Sequence, residues 1–440
     1  MKKYFGKETQ KALRNFPFST HPVKMEFILA IVKIKKAAAL ANLKAGNITP
    51  AVARAIARAC EEVLTGRIKG QFPLSSFQGG AGTAINMNVN EVLAARATEI
   101  LGGKTLVHPN DHVNCSQSTN DVNPSAIKVA ARGLLLELDG ALAGLIKTFE
   151  TKARAFSGII KLGRTHLQDA VPTTLGAEFV AYAENLRGHK NILETVRGYS
   201  EILNLGGTAI GNSVNASPKY VKEVFAELNR AAKSRFAPAK NFMAKTGSHT
   251  DFVAISQAVT VLCVDLSKIA NDFKLMASGP RGGLGELLLP ELQKGSSIMP
   301  GKINPVLPET LNQLYFLVSG NNLTIEKAAE ASQLELGVML PVIADRLLES
   351  VKLAVESVRQ FDKLCVAKVK VDAKKCREHL ENSTAFATFL TPKYGYDRIS
   401  QLVRAAVKNH TSFKQEVLSS GLMKPAEWQA FVLSVTKKIK

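Results

Sequence analysis

The sequence predicts an all-α, mainly α-helical fold organised on a long central bundle. Three observations point there. Several runs of about 30 residues repeat apolar side chains at steps of three and four. Helix-opening and helix-closing residues flank some of them. The stretches between are rich in Gly, Pro, Asn, Ser and Thr and sparing in charge.

Taken in chain order, Thr49-Pro50 supplies an N-cap and a first helical residue, and Gly66 lies just past the end of that helix. Pro124 starts an apolar-rich run that continues to Phe156. A second run starts after His249 and stops at Ser278-Gly279-Pro280; Phe252, Ile255, Val259, Leu262, Leu266, Ile269, Phe273 and Met276 form a heptad-like seam in it. A third spans about Asn304 to Glu330, with a break expected at Ser319-Gly320-Asn321-Asn322, and a fourth runs from Val338 to about Val369. Helices of ~30 residues are ~45 Å long, more than one small domain needs, so the bundle is expected to pair with other copies of the chain.

Composition bounds the rest. Hydrophobic residues make up 46% and charged residues 21%, which excludes a disordered or collagen-like chain. Five scattered cysteines form neither a disulfide framework nor a zinc pattern, which suggests a reducing compartment. No stretch of ~18 consecutive apolar residues appears and the start lacks a secretory pattern, so a cytoplasmic protein without membrane spans is expected. The net charge of +20 attracts anions, but it is diffuse, which disfavours nucleic acid as a partner.

Four polar stretches could carry chemistry. Gln78-Gly79-Gly80-Ala81-Gly82-Thr83 is a glycine-rich loop without dinucleotide spacing. Ser118-Thr119-Asn120 places three short polar side chains before a helix, an arrangement suited to a carboxylate or to plain capping. The nearby His108, Asp111 and His112 lack a third ligand of metal-site spacing, so no metal is expected. His166 sits among small polar residues in Gly163–Asp169, where it could act as an acid or base. Gly295–Pro305 (GSSIMPGKINP) brackets serines, Lys302 and Asn304 with glycines and prolines. A serine acting there as a base needs backbone N–H groups and a nearby cation to stabilise its alkoxide.

Together the four stretches resemble the aspartase/fumarase superfamily, along almost the whole chain. Gly295–Pro305 is similar to its signature loop. Ala81, Thr119 and Gln333 are similar to the aspartase branch, where fumarases differ. The resemblance implies three mostly helical domains, drawn at 1–120, 121–370 and 371–440, and four chains sharing active sites. It implies reversible elimination of ammonia from a small dicarboxylate, aspartate, to give fumarate; hydration of fumarate, or elimination from a substituted aspartate, are the alternatives. Carried over by motif, Ser296 resembles the base. Lys302, Asn304 and Thr165 resemble the α-carboxylate contacts, and Ser118, Thr119 and Thr83 the β-carboxylate contacts. Asn120 and His166 would lie near the leaving group, with Glu309 in a supporting position. No cofactor is implied to be required; an activating divalent cation is not readable. The chain departs from the family pattern at Asn123, Gly211–Asn215, Lys274, Gly337 and Leu340.

Overall fold

The computed structural model describes residues 2–438 and is mainly α-helical. The helices used below are α1 (Lys7–Asn15), α2 (Met25–Ala45), α3 (Pro50–Leu64), α4 (Thr83–Ile100), α5 (Thr119–Ala155), α6 (Leu175–Glu201), α7 (Pro218–Ala232), α8 (Phe242–Gly247), α9 (Thr250–Met276), α10 (Val306–Glu330), α11 (Leu340–Gln360) and α12 (Ala373–Asn382). Four further helices follow between Ala387 and Lys438. One β-hairpin, β1 (Ile160–Thr165) and β2 (Gln168–Thr174), stands between α5 and α6.

The chain divides into two compact units, each discontinuous in sequence. The first takes residues up to Asp139, His189–Cys263 and Leu314–Val355; the second takes the rest. Helices α5, α6, α9, α10 and α11 each contribute residues to both.

In the first unit, α2 packs against α3, α4 and α7. It is an alanine-rich helix closed by Gly46 at a left-handed φ of 82°. Its buried face carries Phe27, Ile28, Ile31, Ile34 and Ala38, and also Lys35 and Asn42. Thr49 caps α3 through the Val52 N–H, with Pro50 in the first turn, as the sequence predicts.

Helix α5 starts at Thr119, five residues before the predicted Pro124. Pro124 has no N–H for the Asn120 carbonyl one turn back. The Nδ2 of Asn204 donates to that carbonyl instead, at 3.0 Å. The helix therefore runs through the proline with its backbone satisfied.

The second unit holds an aromatic core of Phe149, Phe156, Phe179, Tyr182, Phe273 and Phe361, mostly in edge-to-face pairs. A second cluster joins Ile160 and Leu162 of β1 to Leu380, Phe386, Leu390, Phe413 and Trp428 of the C-terminal helices. Those contacts fix the base of the hairpin.

The seam predicted on α9 is buried at all eight positions. By length and hydropathy alone α9 could cross a membrane, but 61% of its most apolar window is buried inside the protein. The break expected at Ser319–Asn322 is absent, and α10 is continuous. The Nδ2 of Asn321 donates to Ser350 Oγ at 3.1 Å and that of Asn322 to Gln257 Oε1 at 2.8 Å. Tertiary partners thus override their weak helix propensity. The turn-rich stretch 163–172 is mostly paired strand, because Val171, Thr173 and Thr174 favour a pleated ladder.

Candidate active site

The glycine-rich loop turns at Gly80, Ala81 and Gly82, all with positive φ, and delivers Thr83 as the exposed first residue of α4. Asn123 clamps this loop: its Nδ2 donates to Ala81 O at 3.0 Å and to Gly82 O at 3.1 Å. A side chain at residue 82 would meet that amide at 2.6 Å, so the close approach requires glycine.

Ser118, Thr119 and Asn120 open α5 in the same unit. Asp121 is fully buried beneath them and accepts the backbone N–H groups of Ser118, Gly206 and Thr208 at 2.9–3.1 Å. Burial pushes its pKa up to about 6, while those three N–H groups and Lys35 oppose the shift. The Ser118 and Thr119 hydroxyls each accept a hydrogen bond from the protein. Ser118 Oγ accepts the Asn120 N–H at 3.2 Å, and Thr119 Oγ1 accepts from Asn86 Nδ2 at 3.3 Å. Their own hydrogens remain to be donated to a ligand. Asn120 Nδ2 donates to Ala209 O at 2.7 Å. A carbonyl can only accept, so this bond fixes the amide's orientation and leaves Asn120 Oδ1 as a free acceptor.

The second unit holds the remaining predicted residues. Thr165 and His166 lie at the exposed tip of the β1–β2 hairpin. His166 and Leu167 both have φ near +60°, at 55° and 61°, as a tight two-residue turn demands. Non-glycine residues there carry backbone strain, which is common at functional loops. The hairpin is anchored by Arg164, whose NH1 donates to Glu286 Oε1 at 2.8 Å, and His379 Nδ1 approaches the same oxygen at 3.0 Å. Lys161 Nζ lies 3.0 Å from Glu286 Oε2, an ion pair without hydrogen-bond alignment. Burial opposes the charge on Glu286, but Lys161, His379 and Arg164 together hold it below its usual pKa.

The signature loop folds back on itself. Asn304 Nδ2 donates to Gly295 O at 2.7 Å, and a Cβ on residue 295 would sit 1.8 Å from Lys302 O. Ser296 Oγ accepts the backbone N–H groups of Ile298 at 3.2 Å and Met299 at 3.1 Å. Two fixed donors aimed at one oxygen favour its anion. Lys302 is exposed and, with Asn304 and Lys274, lines a cavity of about 440 Å³. Glu309 is exposed in the first turn of α10. Among the described residues, no hydrogen bond or ion pair links Thr165 or His166 to the signature loop.

Several residues of these loops have roles that the motifs do not assign. Asn123 and Asp121 hold the backbone of the polar loops, and Asn86 and Asn114 extend that network. A signal exists for two more: Lys35 and Asn42 stand one heptad apart on an otherwise apolar helix face.

The chain's relatives agree with this architecture. A family model described as lyase matches residues 1–320. The chain is 40% identical to an aspartate ammonia-lyase of Bacillus subtilis, over 96% of its own length and 90% of that protein. It is 41% identical to a class II fumarate hydratase of Thermus aquaticus, over 98% and 94%. The crystal structure of a Brucella melitensis fumarate lyase:delta crystallin bound to cobalt superposes with a TM-score of 0.95 at 40% identity, covering 100% of this chain and 96% of that one. A Schistosoma mansoni class II fumarase superposes at 0.92 with 34% identity, covering 98% and 95%. The chain is a lyase and belongs to the aspartase/fumarase superfamily.

Proposed function

We propose that this lyase is an aspartate ammonia-lyase, eliminating ammonia from L-aspartate to give fumarate. The resemblance to the aspartase branch at Ala81, Thr119 and Gln333 carries the choice of ammonia as the leaving group, and the amide of Asn120, whose Nδ2 is committed to Ala209 O, accommodates it. Its free Oδ1 offers an acceptor to a substrate ammonium, a group that only donates. Thr119, where fumarases carry serine, and Ala81 support the same branch.

Elimination proceeds in two stages. Ser296, as alkoxide, removes the β-proton of aspartate, and the N–H groups of Ile298 and Met299 aim at the oxygen that carries its charge. The electron pair left on the β-carbon spreads into the β-carboxylate. Ser118, Thr119 and Thr83 donate to that carboxylate as its charge grows, where stabilisation accelerates the step most. Lys302, Asn304 and Thr165 hold the α-carboxylate. The electron pair then forms the C=C bond and ammonia departs, with His166 and Asn120 beside it.

Thr83, Ser118, Thr119 and Asn120 lie in the first unit, and Thr165, His166, Ser296, Lys302 and Asn304 in the second. We assign the complete site to a homotetramer. Its support is the apolar surface left exposed on the long helices: Val180 and Ile192 on α6, Val264 on α9, and Phe316, Leu317 and Leu323 on α10.

Absorbance in the fumarate band, with L-aspartate and L-malate offered in parallel, tests the reading. Fumarate from aspartate with equal ammonia is the expected result. Fumarate from malate alone refutes it and selects class II fumarate hydratase, the second reading, which relatives of equal identity support.

A further inference from the structure

Lys35 is a cation in an apolar place. It lies on the inner face of α2 with 0% exposure, between Ile34 and Ala38. Burial pulls its pKa down to about 7, against the attraction of Asp121 and Cys60. Its Nζ makes a hydrogen bond to an amide rather than to a carboxylate: Asn114 Oδ1, at 2.8 Å. An unbranched apolar residue would fill the same volume without desolvating a charge.

What the lysine touches accounts for its presence. Asn114 Oδ1 also accepts from Asn86 Nδ2 at 3.1 Å and from Asn90 Nδ2 at 3.3 Å. Asn86 Nδ2 is the group that donates to Thr119 Oγ1. The Asn114 amide donates in turn to Gln117 O at 3.2 Å, while the Gln117 N–H returns to Asn114 O at 3.1 Å. Seven residues further along the same face, Asn42 holds Cys115 O at 2.9 Å and Ser116 Oγ at 2.8 Å. Helix α2 thus grips the 114–117 segment at two points and reaches Thr119 through three hydrogen bonds.

We propose that Lys35 is a positioning residue for the dicarboxylate cradle: through Asn114 and Asn86 it fixes the backbone at Gln117 and the side chain of Thr119 with its hydroxyl hydrogen outward, and its ammonium, when protonated, places a positive charge behind them. The chain of bonds has a direction. Lys35, as the ammonium, can only donate, which makes Asn114 Oδ1 an acceptor and orients its Nδ2 toward Gln117 O. The Asn86 amide must then present Nδ2 to both Asn114 and Thr119. Thr119 Oγ1 is left as the acceptor of that bond, so its hydrogen is free for substrate. The inference rests on the proposed site for the identity of the ligand, a small dicarboxylate.

Titration calorimetry of the full-length protein with succinate, a dicarboxylate that cannot undergo elimination, reads the cradle without turnover. Lys35→Met weakens succinate binding about tenfold to a hundredfold, the loss that accompanies a broken hydrogen bond to a charged group. Asn86→Leu weakens it by a similar factor. The double variant is no weaker than the poorer single one, because both act along one chain of bonds. Affinity within twofold of wild type in Lys35→Met overturns the proposal, and so do single losses that multiply in the double variant. Where Lys35→Met does not assemble, Asn86→Leu, on α4, decides: a loss of about tenfold or more supports the chain of bonds, and affinity within twofold of wild type overturns it. In the turnover assay Lys35→Met raises KM by a larger factor than it lowers kcat; a fall in kcat alone overturns the positioning role. Release of fumarate from neither aspartate nor malate by wild type refutes the lyase substrate assignment separately, since succinate affinity is read independently of it.

Discussion

Acid should destabilise this protein through one histidine. His249 lies at the start of α9 with 2% exposure, and its Nε2 donates to Gly337 O at 3.3 Å. Burial pushes its pKa from 6.5 down to about 4; Lys128 adds to the shift, while Gly337 O and Asp251 oppose it. The unfolded chain takes up a proton on this ring near pH 6.5, and the folded chain only near 4. Between those values the unfolded state binds more protons, so stability falls as pH drops through that window. The full window is worth about 3 kcal/mol, and the step from pH 7 to pH 5 about 2 kcal/mol. For a unit of some 150–250 residues that step lowers Tm by about 4–8 °C. Thermal scans at one fixed rate, at pH 7 and pH 5, on wild type and His249→Gln check this. Other titrating groups, Asp121 with its opposite sign among them, are common to both proteins, so the difference isolates His249. Wild type should lose about 4–8 °C more than the variant. An equal loss in both proteins would refute the burial argument.

Three further outcomes are expected. Gly337→Ala should cost about 1–3 kcal/mol, because its Cβ would lie 2.1 Å from His249 Cδ2 and 2.8 Å from Ser332 Oγ; apparent Tm reads the loss, and His249→Ala in the same chain should recover part of it. Ser296→Ala should lower fumarate formation by about 10²–10⁴-fold, with the assembly seen by light scattering unchanged; near-normal turnover would remove Ser296 as the base. Glu286→Gln should destabilise the hairpin's anchor by about 1–3 kcal/mol, because half-buried Arg164 loses its carboxylate while Lys161 keeps Glu178; an unaltered Tm would contradict that.

The mainly helical fold was legible because the periodicity is strong where helices are long. The α9 seam, from Phe252 to Met276, is buried as its spacing predicts. Helix α6 was harder to see, since Gly176, Gly188 and Gly198 interrupt its pattern and it shows no apolar run as continuous as that of α9. The loop residues that motif reading names are short polar groups pointing outward from turns. What motif reading misses is what holds them. Asn123, one of the departures from the family pattern, clamps the glycine-rich loop through two backbone carbonyls. Its role depends on a contact 41 residues away in the chain, which no local pattern encodes. Gly337, another departure, makes room for the ring of His249, 88 residues earlier.

The hydrogen bonds received by Ser118 and Thr119 carry a consequence for substrate choice. Both hydroxyls are supplied with an internal donor, so toward a ligand they act as donors. A carboxylate offers each of them an oxygen. A carboxamide offers one oxygen and one NH₂, and opposite the NH₂ the hydroxyl hydrogen would lose its acceptor. Asparagine, nearly isosteric with aspartate, would therefore leave a polar pair mismatched at the proposed cradle, a penalty of the kind that separates substrates far more sharply than size does. An enzyme built this way could work in a pool rich in asparagine without being held up by it.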